Sequence, residues 1–269
     1  MKASLLILVM ALFFVSCSEY QKVLRADDIA PKYAMADSLY QQGKYKKALQ
    51  LMEQIVPAYR GKPQAEKLMY MYANTFYNLE DFYLAGYQFE RFETSYPKSD
   101  SVETAAYLSA RSYYELSPRY SLDQTDTDKA LERLQEFVNK YPNSEKRTEV
   151  NALVSELRQK KEKKEFEVAA QYLRVSDYKA AISAFENFIT DNPGSVYRKD
   201  AFFGRFEAAY KLAINSIPAL VSERLTTAKS YYNSFIKYYS DSDLKADADE
   251  ILNDINKRLE SETATTSIN

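Results

Sequence analysis

The residue whose side chain offers the clearest chemistry is Cys17, the only cysteine among 269 residues. It follows a single positive charge at Lys2, an apolar run from Ala3 to Val15, and the small residue Ser16. This order is typical of a secretory signal peptide, and the apolar run is too short to span a bilayer. We therefore expect residues 1–16 to be a signal peptide. An exported chain with one cysteine cannot form an internal disulfide, so the thiol is available for another covalent modification.

The four residues that end at this cysteine, Phe14-Val15-Ser16-Cys17, resemble a bacterial lipobox. In a lipobox the cysteine is acylated, as with palmitate, and becomes the mature N-terminus, so that the acyl chains hold the protein to a membrane surface. Phe14 departs from the leucine that usually stands three residues before the cysteine. The resemblance implies that Cys17 carries the lipid. The alternative is an ordinary cleaved signal peptide with an incidental cysteine.

The residue types that usually carry catalysis are scarce in the rest of the chain. It contains no histidine, so neither a Ser-His nor a Cys-His pair can form. It also lacks a P-loop, a GxGxxG motif and the histidine and cysteine spacing of a metal site. The net charge of −2 does not favour nucleic acid. We expect a protein that is not an enzyme, with no cofactor, no metal and no nucleic-acid partner.

A spaced set of apolar residues recurs along the chain and predicts stacked pairs of helices. In the clearest copy Ala85, Phe89 and Phe92 lie on one helical face, and Pro97 ends the helix. Four further copies share this spacing: Ala48-Met52-Ile55, Ala130-Leu134-Phe137, Ala181-Phe185-Phe188 and Ala228-Tyr232-Phe235. The pattern resembles the second helix of the tetratricopeptide repeat. The fold class predicted is all-α, a right-handed superhelical array of five tetratricopeptide-like helix pairs.

This repeat divides the chain into segments with distinct expected roles. Units three and five carry insertions, within Ser117 to Asp128 and around Asn215 to Ser222. The remaining boundaries follow from the repeat and from composition: 17–30 a polar tether, 31–144 units one to three, 145–259 units four and five, and 260–269 a polar, disordered tail.

Nine side chains on the predicted first helices of units one to three recur with a period of 37 residues. They form two tyrosine ladders with a polar ladder between them: Tyr33, Tyr70 and Tyr107; Tyr40, Tyr77 and Tyr114; and Asp37, Asn74 and Arg111. First helices line the groove of a tetratricopeptide array, where rings and polar groups suit an extended peptide. The alternative is aromatic packing between neighbouring helices. It is slightly favoured for the Tyr33 ladder and open for the Tyr40 ladder.

The whole pattern resembles the BamD family, the tetratricopeptide lipoproteins of the β-barrel assembly machinery of Gram-negative outer membranes. The resemblance is based on the lipobox, the chain length, the five units with their insertions, and the motif Phe-x-x-x-Tyr-Pro-x-Ser at Phe92 and Phe137. The stretch from Ser117 to Thr125 also resembles these proteins. Unit five departs from the pattern, because it lacks the terminal proline and has Phe206 where a small residue belongs.

This resemblance implies a lipid-anchored protein on the periplasmic face of the outer membrane. Its expected partners are the periplasmic domains of the barrel-forming assembly protein and unfolded outer-membrane proteins. The C-terminal units are expected to hold the machinery, and the N-terminal units to face the substrate. The competing interpretation is a periplasmic tetratricopeptide scaffold for cell-wall synthesis or nutrient uptake.

Overall fold

The computed structural model describes residues 19–266, with side chains described through Ser261. Within this range the chain is helical and contains no strand, which confirms the all-helical fold class. No helix in the described range combines the length and the apolar character needed to cross a bilayer. The predicted signal peptide 1–16 and Cys17 lie outside the described residues.

Apart from the five repeat units, the chain divides into two compact structural units, the N-terminal unit and the C-terminal unit. The long helix Arg147–Arg174 contributes to both. One unit holds the described residues up to Pro118 together with Asp123–Val154. Its elements are α1 (Ile29–Gln41), α2 (Tyr45–Ile55), a 3-10 helix (Pro57–Tyr59), α3 (Ala65–Asn78), α4 (Phe82–Ser95), α5 (Val102–Leu116), α6 (Thr125–Lys140) and the start of α7 (Arg147–Arg174). The other holds Arg119–Leu122 and the residues from Ser155 onward. It contains the rest of α7 and then α8 (Tyr178–Asp191), α9 (Arg198–Ile214), α10 (Pro218–Tyr239) and α11 (Lys245–Thr266).

The repeated apolar anchors form the cores of the helix pairs, as their spacing predicts. Ala85, Phe89 and Phe92 of α4 are fully buried and contact residues of the helices on either side. The anchors of the other second helices are buried in the same way, except Tyr232, which is half-buried. Spacing at i, i+4 and i+7 puts three side chains on one helical face, and burial of that face holds the pair together.

The turn inside a helix pair is built in the same way in units one, two and four. The second residue after the end of the first helix has a positive φ angle: 70° at Gly43, 60° at Glu80 and 64° at Ser176. In unit two the Glu80 amide donates to Tyr77 O and the Asp81 amide donates to Phe76 O, each at 3.0 Å. These two bonds satisfy carbonyl groups at the helix end, as in a Schellman motif.

The expected tether, residues 17–30, differs in the structure because residues 19–25 are helical. Tyr20 is buried with 7% of its surface exposed, and its hydroxyl donates to Gln50 Oε1 at 2.6 Å. Leu24 packs against the same core. Apolar and aromatic side chains in a mostly polar segment therefore dock it on α2, where burial offsets the entropy lost by ordering.

The expected disordered tail, residues 260–269, is a second difference, because α11 continues to Thr266. Residues 267–269 lie outside the described range. Leu259 packs against the core of its unit and holds this end of α11 in place. Extending an existing helix by a turn is much less costly than nucleating one, so a polar sequence can continue it.

The two insertions have different structures. In unit three a loop of residues 117–124 joins α5 to α6. In unit five most of the insertion is helical, because α10 begins at Pro218. Proline is well suited to the first turn of a helix, where its missing N–H would have no partner inside the helix.

Candidate functional site

The candidate site is the row of first helices α1, α3 and α5. Polar side chains of the predicted ladders join α1 to α3 and α5 to α7. Lys67 Nζ of α3 lies 2.5 Å from Asp37 Oδ2 of α1. Asn74 of α3 donates from Nδ2 to the Tyr40 hydroxyl of α1, also at 2.5 Å. Two members of the polar ladder therefore bridge the first helices of units one and two rather than standing free.

The third member of the polar ladder, Arg111 on α5, is held by two carboxylates. Its Nη2 lies 2.7 Å from Glu115 Oε1, and its Nη1 lies 3.5 Å from Glu149 Oε1 in the first turn of α7. The guanidinium also lies over the Tyr114 ring, 5.0 Å from its centroid. A carboxylate or carbonyl from a ligand would therefore have to compete with existing partners for this cation.

Tyr107 joins the same cluster and has a strongly perturbed hydroxyl. It donates from Oη to Glu149 Oε1 at 2.5 Å. Burial and then this hydrogen bond to a carboxylate raise the pKa of Tyr107 to about 12. In return the Tyr107 hydroxyl, followed by Lys146, lowers the pKa of Glu149. The cluster is thus a neutral phenol paired with an ionised carboxylate at neutral pH.

The rings of the Tyr33 ladder pack on aromatic residues of their own units. Tyr33 stacks on Tyr59 with ring centroids 5.2 Å apart. Tyr70 meets Phe92 edge-on at 5.5 Å, and Tyr107 meets Phe137 edge-on at 6.0 Å. Each ring is half-buried. These contacts give the packing interpretation of this ladder a physical basis, while the partly exposed edges leave the groove interpretation open.

The Tyr40 ladder combines packing with available polar groups. Tyr77 meets Phe82 edge-on at 5.6 Å and Phe89 at 6.5 Å. The Tyr77 hydroxyl makes no hydrogen bond within residues 19–266. Its pKa is raised mainly by burial. Tyr77 is therefore a position of this ladder where a peptide group would find a hydroxyl that is not yet engaged.

The C-terminal unit repeats part of this arrangement on α9. Phe203 and Tyr210 lie 96 residues after Tyr107 and Tyr114. Phe203 meets the buried anchor Phe235 edge-on at 5.9 Å. Tyr210 donates to Asp254 Oδ2 of α11 at 2.8 Å. Phe203 thus repeats the ring contact that Tyr107 makes with Phe137, and the Tyr210 hydroxyl bonds to a later helix, as the Tyr40 hydroxyl does with Asn74.

The acceptors and cations that complete these contacts were missed by sequence reasoning. Lys67 and Glu149 lie on the first helix of the unit after the ladder residue that they contact, and Asp254 lies on α11, which follows the second helix of unit five. None repeats at the 37-residue period, so a search for identical spacing does not find them. A search for opposite charges or acceptors on the following first helix would have found the Asp37–Lys67 pair.

A second polar cluster lies on the side of the N-terminal unit formed by α4, α5 and α6. Arg133 of α6 forms ion pairs with Glu90 of α4 and Glu136 of α6, each with a nitrogen–oxygen distance of 2.8 Å. Its guanidinium lies 5.7 Å from the centroid of the Tyr113 ring. Burial, followed by a hydrogen bond with Glu90, raises the pKa of Tyr113. These residues border a cavity of about 660 Å³ in which the cation already has two carboxylate partners.

Comparison with known proteins extends over most of the chain. Residues 25–225 match a family model described as YfiO, outer membrane lipoprotein. Outer membrane protein assembly factor BamD of Caulobacter vibrioides is 29% identical over 126 residues, which are 47% of this chain and 41% of that protein. BamD of Rickettsia prowazekii is 23% identical over 212 residues, covering 79% of this chain and 83% of that protein. These matches confirm the resemblance to BamD proteins, and the chain belongs to the YfiO family of outer membrane lipoproteins.

Proposed function

We propose that this protein is a non-enzymatic component of the outer-membrane protein assembly machinery. A lipid on Cys17 holds it to the periplasmic face of the outer membrane. It binds the periplasmic domains of the barrel-forming assembly protein and receives unfolded outer-membrane proteins for insertion. The observation that carries the proposal is the family match over residues 25–225, together with two relatives named as outer membrane protein assembly factors.

The surface proposed to receive unfolded clients is the strip formed by the three ladders on α1, α3 and α5. It comprises Tyr33, Asp37, Tyr40, Tyr70, Asn74, Tyr77, Tyr107, Arg111 and Tyr114. Partly exposed aromatic rings suit the apolar side chains of an extended strand, and the polar groups between them suit its unpaired backbone. The ion pairs along the strip are partly open to water, since the Lys67 side chain is 54% exposed, so a peptide can displace them at modest cost.

The test is recovery of partners through the lipidated, full-length protein solubilised from its own membranes. We expect the barrel-forming assembly protein to be recovered with it. Cys17→Ser is the matched control, because it removes the anchor without touching the helical units. Recovery of wall-synthesis enzymes or nutrient-uptake proteins without the barrel-forming protein would overturn the proposal and support the scaffold alternative.

A second test measures the strip alone. A labelled peptide with the C-terminal strand sequence of an outer-membrane protein is titrated with the purified protein, and a scrambled peptide of the same composition serves as control. We expect saturable binding that favours the ordered sequence. Equal binding of both peptides would show that the strip does not recognise client strands.

A further inference from the structure

Arg205 on α9 is a buried cation at the centre of the C-terminal unit. Its side chain is only 7% exposed. It forms an ion pair with Glu186 of α8, whose own side chain is 48% exposed. The guanidinium lies 4.3 Å from the centroid of the Tyr231 ring and 5.0 Å from that of Phe202. Arg205 is therefore flanked by aromatic rings and reaches one carboxylate at the rim.

This arginine has fewer partners than a buried guanidinium needs. A guanidinium carries five N–H donors, and a buried charge is costly unless it is paired and hydrogen-bonded. Within the described residues, Arg205 makes one hydrogen-bonded ion pair, from Nη1 to Glu186. Its Nε is buried without a partner in that same part of the chain. The group therefore retains donor capacity.

Two arginines of the N-terminal unit each have a second carboxylate partner, although the Nε of Arg133 is buried without a hydrogen-bond partner in the described residues, as is that of Arg205. Arg133 has two carboxylates and the Tyr113 ring, and Arg111 has two carboxylates and the Tyr114 ring. Both are more exposed than Arg205, since 26% and 28% of their side chains face solvent. Arg205 has two rings and one carboxylate. The most buried of the three cations thus lacks the second acid that the other two possess.

The space beside Arg205 is a polar groove of about 420 Å³ between α8 and α10. Its walls carry hydroxyl and amide groups from Ser183, Asn187, Ser230 and Ser234. The side chains of Ser183 and Asn187 form no hydrogen bond within residues 19–266. Ser183, Asn187 and Ser230 are exposed, so the groove is open and does not enclose a small molecule as a ligand pocket would. A side chain that projects from another protein fits this shape.

We propose that this groove is a docking site for an Asp or Glu side chain of a partner polypeptide. The incoming carboxylate becomes the second acid on the Arg205 guanidinium, and the Ser183 hydroxyl and the Asn187 amide donate to its free lone pairs. Glu186 occupies part of the guanidinium and competes with the incoming group. The proposal rests on the proposed function only in taking the partner to be a protein, and its first test needs no component of the assembly machinery.

The first test titrates the full mature chain in detergent and follows the arginine side-chain Nε–H resonances by NMR. The probe is N-acetyl-glutamate N-methylamide, and the glutamine analogue is its uncharged control. We expect a saturable shift of the Arg205 resonance with the glutamate probe and at least tenfold weaker binding of the glutamine probe. Equal responses to both probes, or no response to either, would overturn the proposal.

Two variants sharpen this measurement. Glu186→Gln removes the internal competitor and is expected to tighten binding of the glutamate probe at least threefold. Arg205→Lys keeps the charge but loses the planar fork, and is expected to reduce the preference for glutamate over glutamine, read from the resonances of the groove residues. A circular dichroism spectrum like that of the wild type shows that each variant is folded. An unchanged preference in folded Arg205→Lys would assign the acid to another site.

The second test places a photo-crosslinking amino acid at Ser183 in the membrane-anchored protein and maps the captured segment by mass spectrometry. We expect a polypeptide crosslinked next to an Asp or Glu, with a yield that rises in Glu186→Gln and falls in Arg205→Lys. The same label at Tyr83, which is 69% exposed in the other unit, is the positional control. Capture of lipid or polysaccharide, or a yield indifferent to both variants, would contradict the assignment. If the barrel-forming protein is recovered but this crosslink is absent, the docking site fails and the proposed function stands.

Discussion

Tyr107 of α5 donates a hydrogen bond from Oη to Glu149 Oε1 in the first turn of α7, at 2.5 Å. The bond joins α5 to α7, the first helices of units three and four, and lies beside the Arg111–Glu149 ion pair. It is formed by a neutral phenol and an ionised carboxylate. It is therefore weakened in acid, where Glu149 becomes protonated, and in alkali, where Tyr107 ionises. That dependence gives a signature that a simple packing contact would not have.

Tyr107→Phe should remove this bond and change the pH dependence of the free energy of unfolding. Glu149 has a lowered pKa, so its contribution is present above the unfolded value and is lost as pH falls through the folded one. Tyr107 has a pKa raised to about 12, so its contribution is present below the ordinary tyrosine value and is lost as pH rises through the raised one. We expect a deficit of about 1 kcal/mol near neutral pH that shrinks in acid and in alkali.

Urea unfolding of the full chain at several pH values checks this expectation. Tyr33→Phe is the control, because the Tyr33 hydroxyl makes no hydrogen bond within residues 19–266. A deficit of the same size at every pH, or an equal deficit in the control, would show that the bond contributes nothing specific.

Tyr77→Phe should weaken the binding of a client peptide without weakening the fold. The ring contacts with Phe82 and Phe89 are kept, and the lost hydroxyl has no partner in the described part of the chain. A hydrogen bond from this hydroxyl to the peptide contributes about 0.5–1.5 kcal/mol, so we expect roughly three- to tenfold weaker affinity. Fluorescence anisotropy with a labelled C-terminal client peptide measures it.

Tyr77→Ala provides the contrasting measurement. It should weaken peptide binding by about 1–2 kcal/mol if the ring contacts the client, as for other interface aromatics. If the ring only packs between helices, the variant should instead lose about 3 kcal/mol of stability, while its folded fraction binds the peptide with unchanged affinity. The pair of variants therefore separates the two interpretations of the Tyr40 ladder.

Ser176→Gly should stabilise the C-terminal unit. Ser176 has a φ angle of 64°, in the left-handed region that costs a residue with a Cβ about 1–2 kcal/mol. Glycine relieves this strain but adds freedom to the unfolded chain, so we expect a net gain of about 0.5–1 kcal/mol in the free energy of unfolding. Gly43→Ser at the equivalent turn of unit one is the reverse control and should be destabilising. A loss of stability in Ser176→Gly would refute this account of the turn.

Gly204→Ala should be destabilising, because α9 passes close to α8 at this position. A Cβ placed on Gly204 would lie 2.5 Å from Cζ of Phe185, a ring with 1% of its surface exposed. Overpacking of this kind costs about 1–3 kcal/mol. Gly194→Ala is the matched control, since a Cβ there meets nothing within 4 Å. Thermal unfolding followed by circular dichroism compares the two, and equal stability would contradict the close approach.

Cys17→Ser should release the protein from the membrane. The thiol is the proposed site of acylation, and a serine hydroxyl does not replace it in lipoprotein processing. We expect an unprocessed or soluble protein in fractionated cells and a lipid-modified N-terminal peptide only in the wild type. An unmodified Cys17 in mature, membrane-bound protein would contradict the lipobox interpretation.

The sequence by itself determined the helices and their pairing. Apolar residues at i, i+4 and i+7 can share a buried face only on a helix, and Ala85, Phe89 and Phe92 are buried as that spacing requires. The 37-residue period of the first helices also placed Tyr40, Tyr77 and Tyr114 at equivalent positions, because equivalent residues of successive repeat units are separated by the length of one unit. The helical state of residues 19–25 and of the end of α11 was not predicted, since their polar composition does not show that Tyr20 and Leu259 are docked on a core.

The tertiary structure alone decided which polar groups meet. Asn74 and Tyr40 are 34 residues apart in the chain, and only the packing of α1 against α3 brings them within hydrogen-bond distance. Arg205 is a charged residue that composition would assign to the surface, yet the rings of Phe202 and Tyr231 bury it beside a groove. Hydrophobic periodicity is local and can be read along one helix. Partners of a polar side chain depend on which helices become neighbours, and a single sequence does not encode that in any short-range pattern.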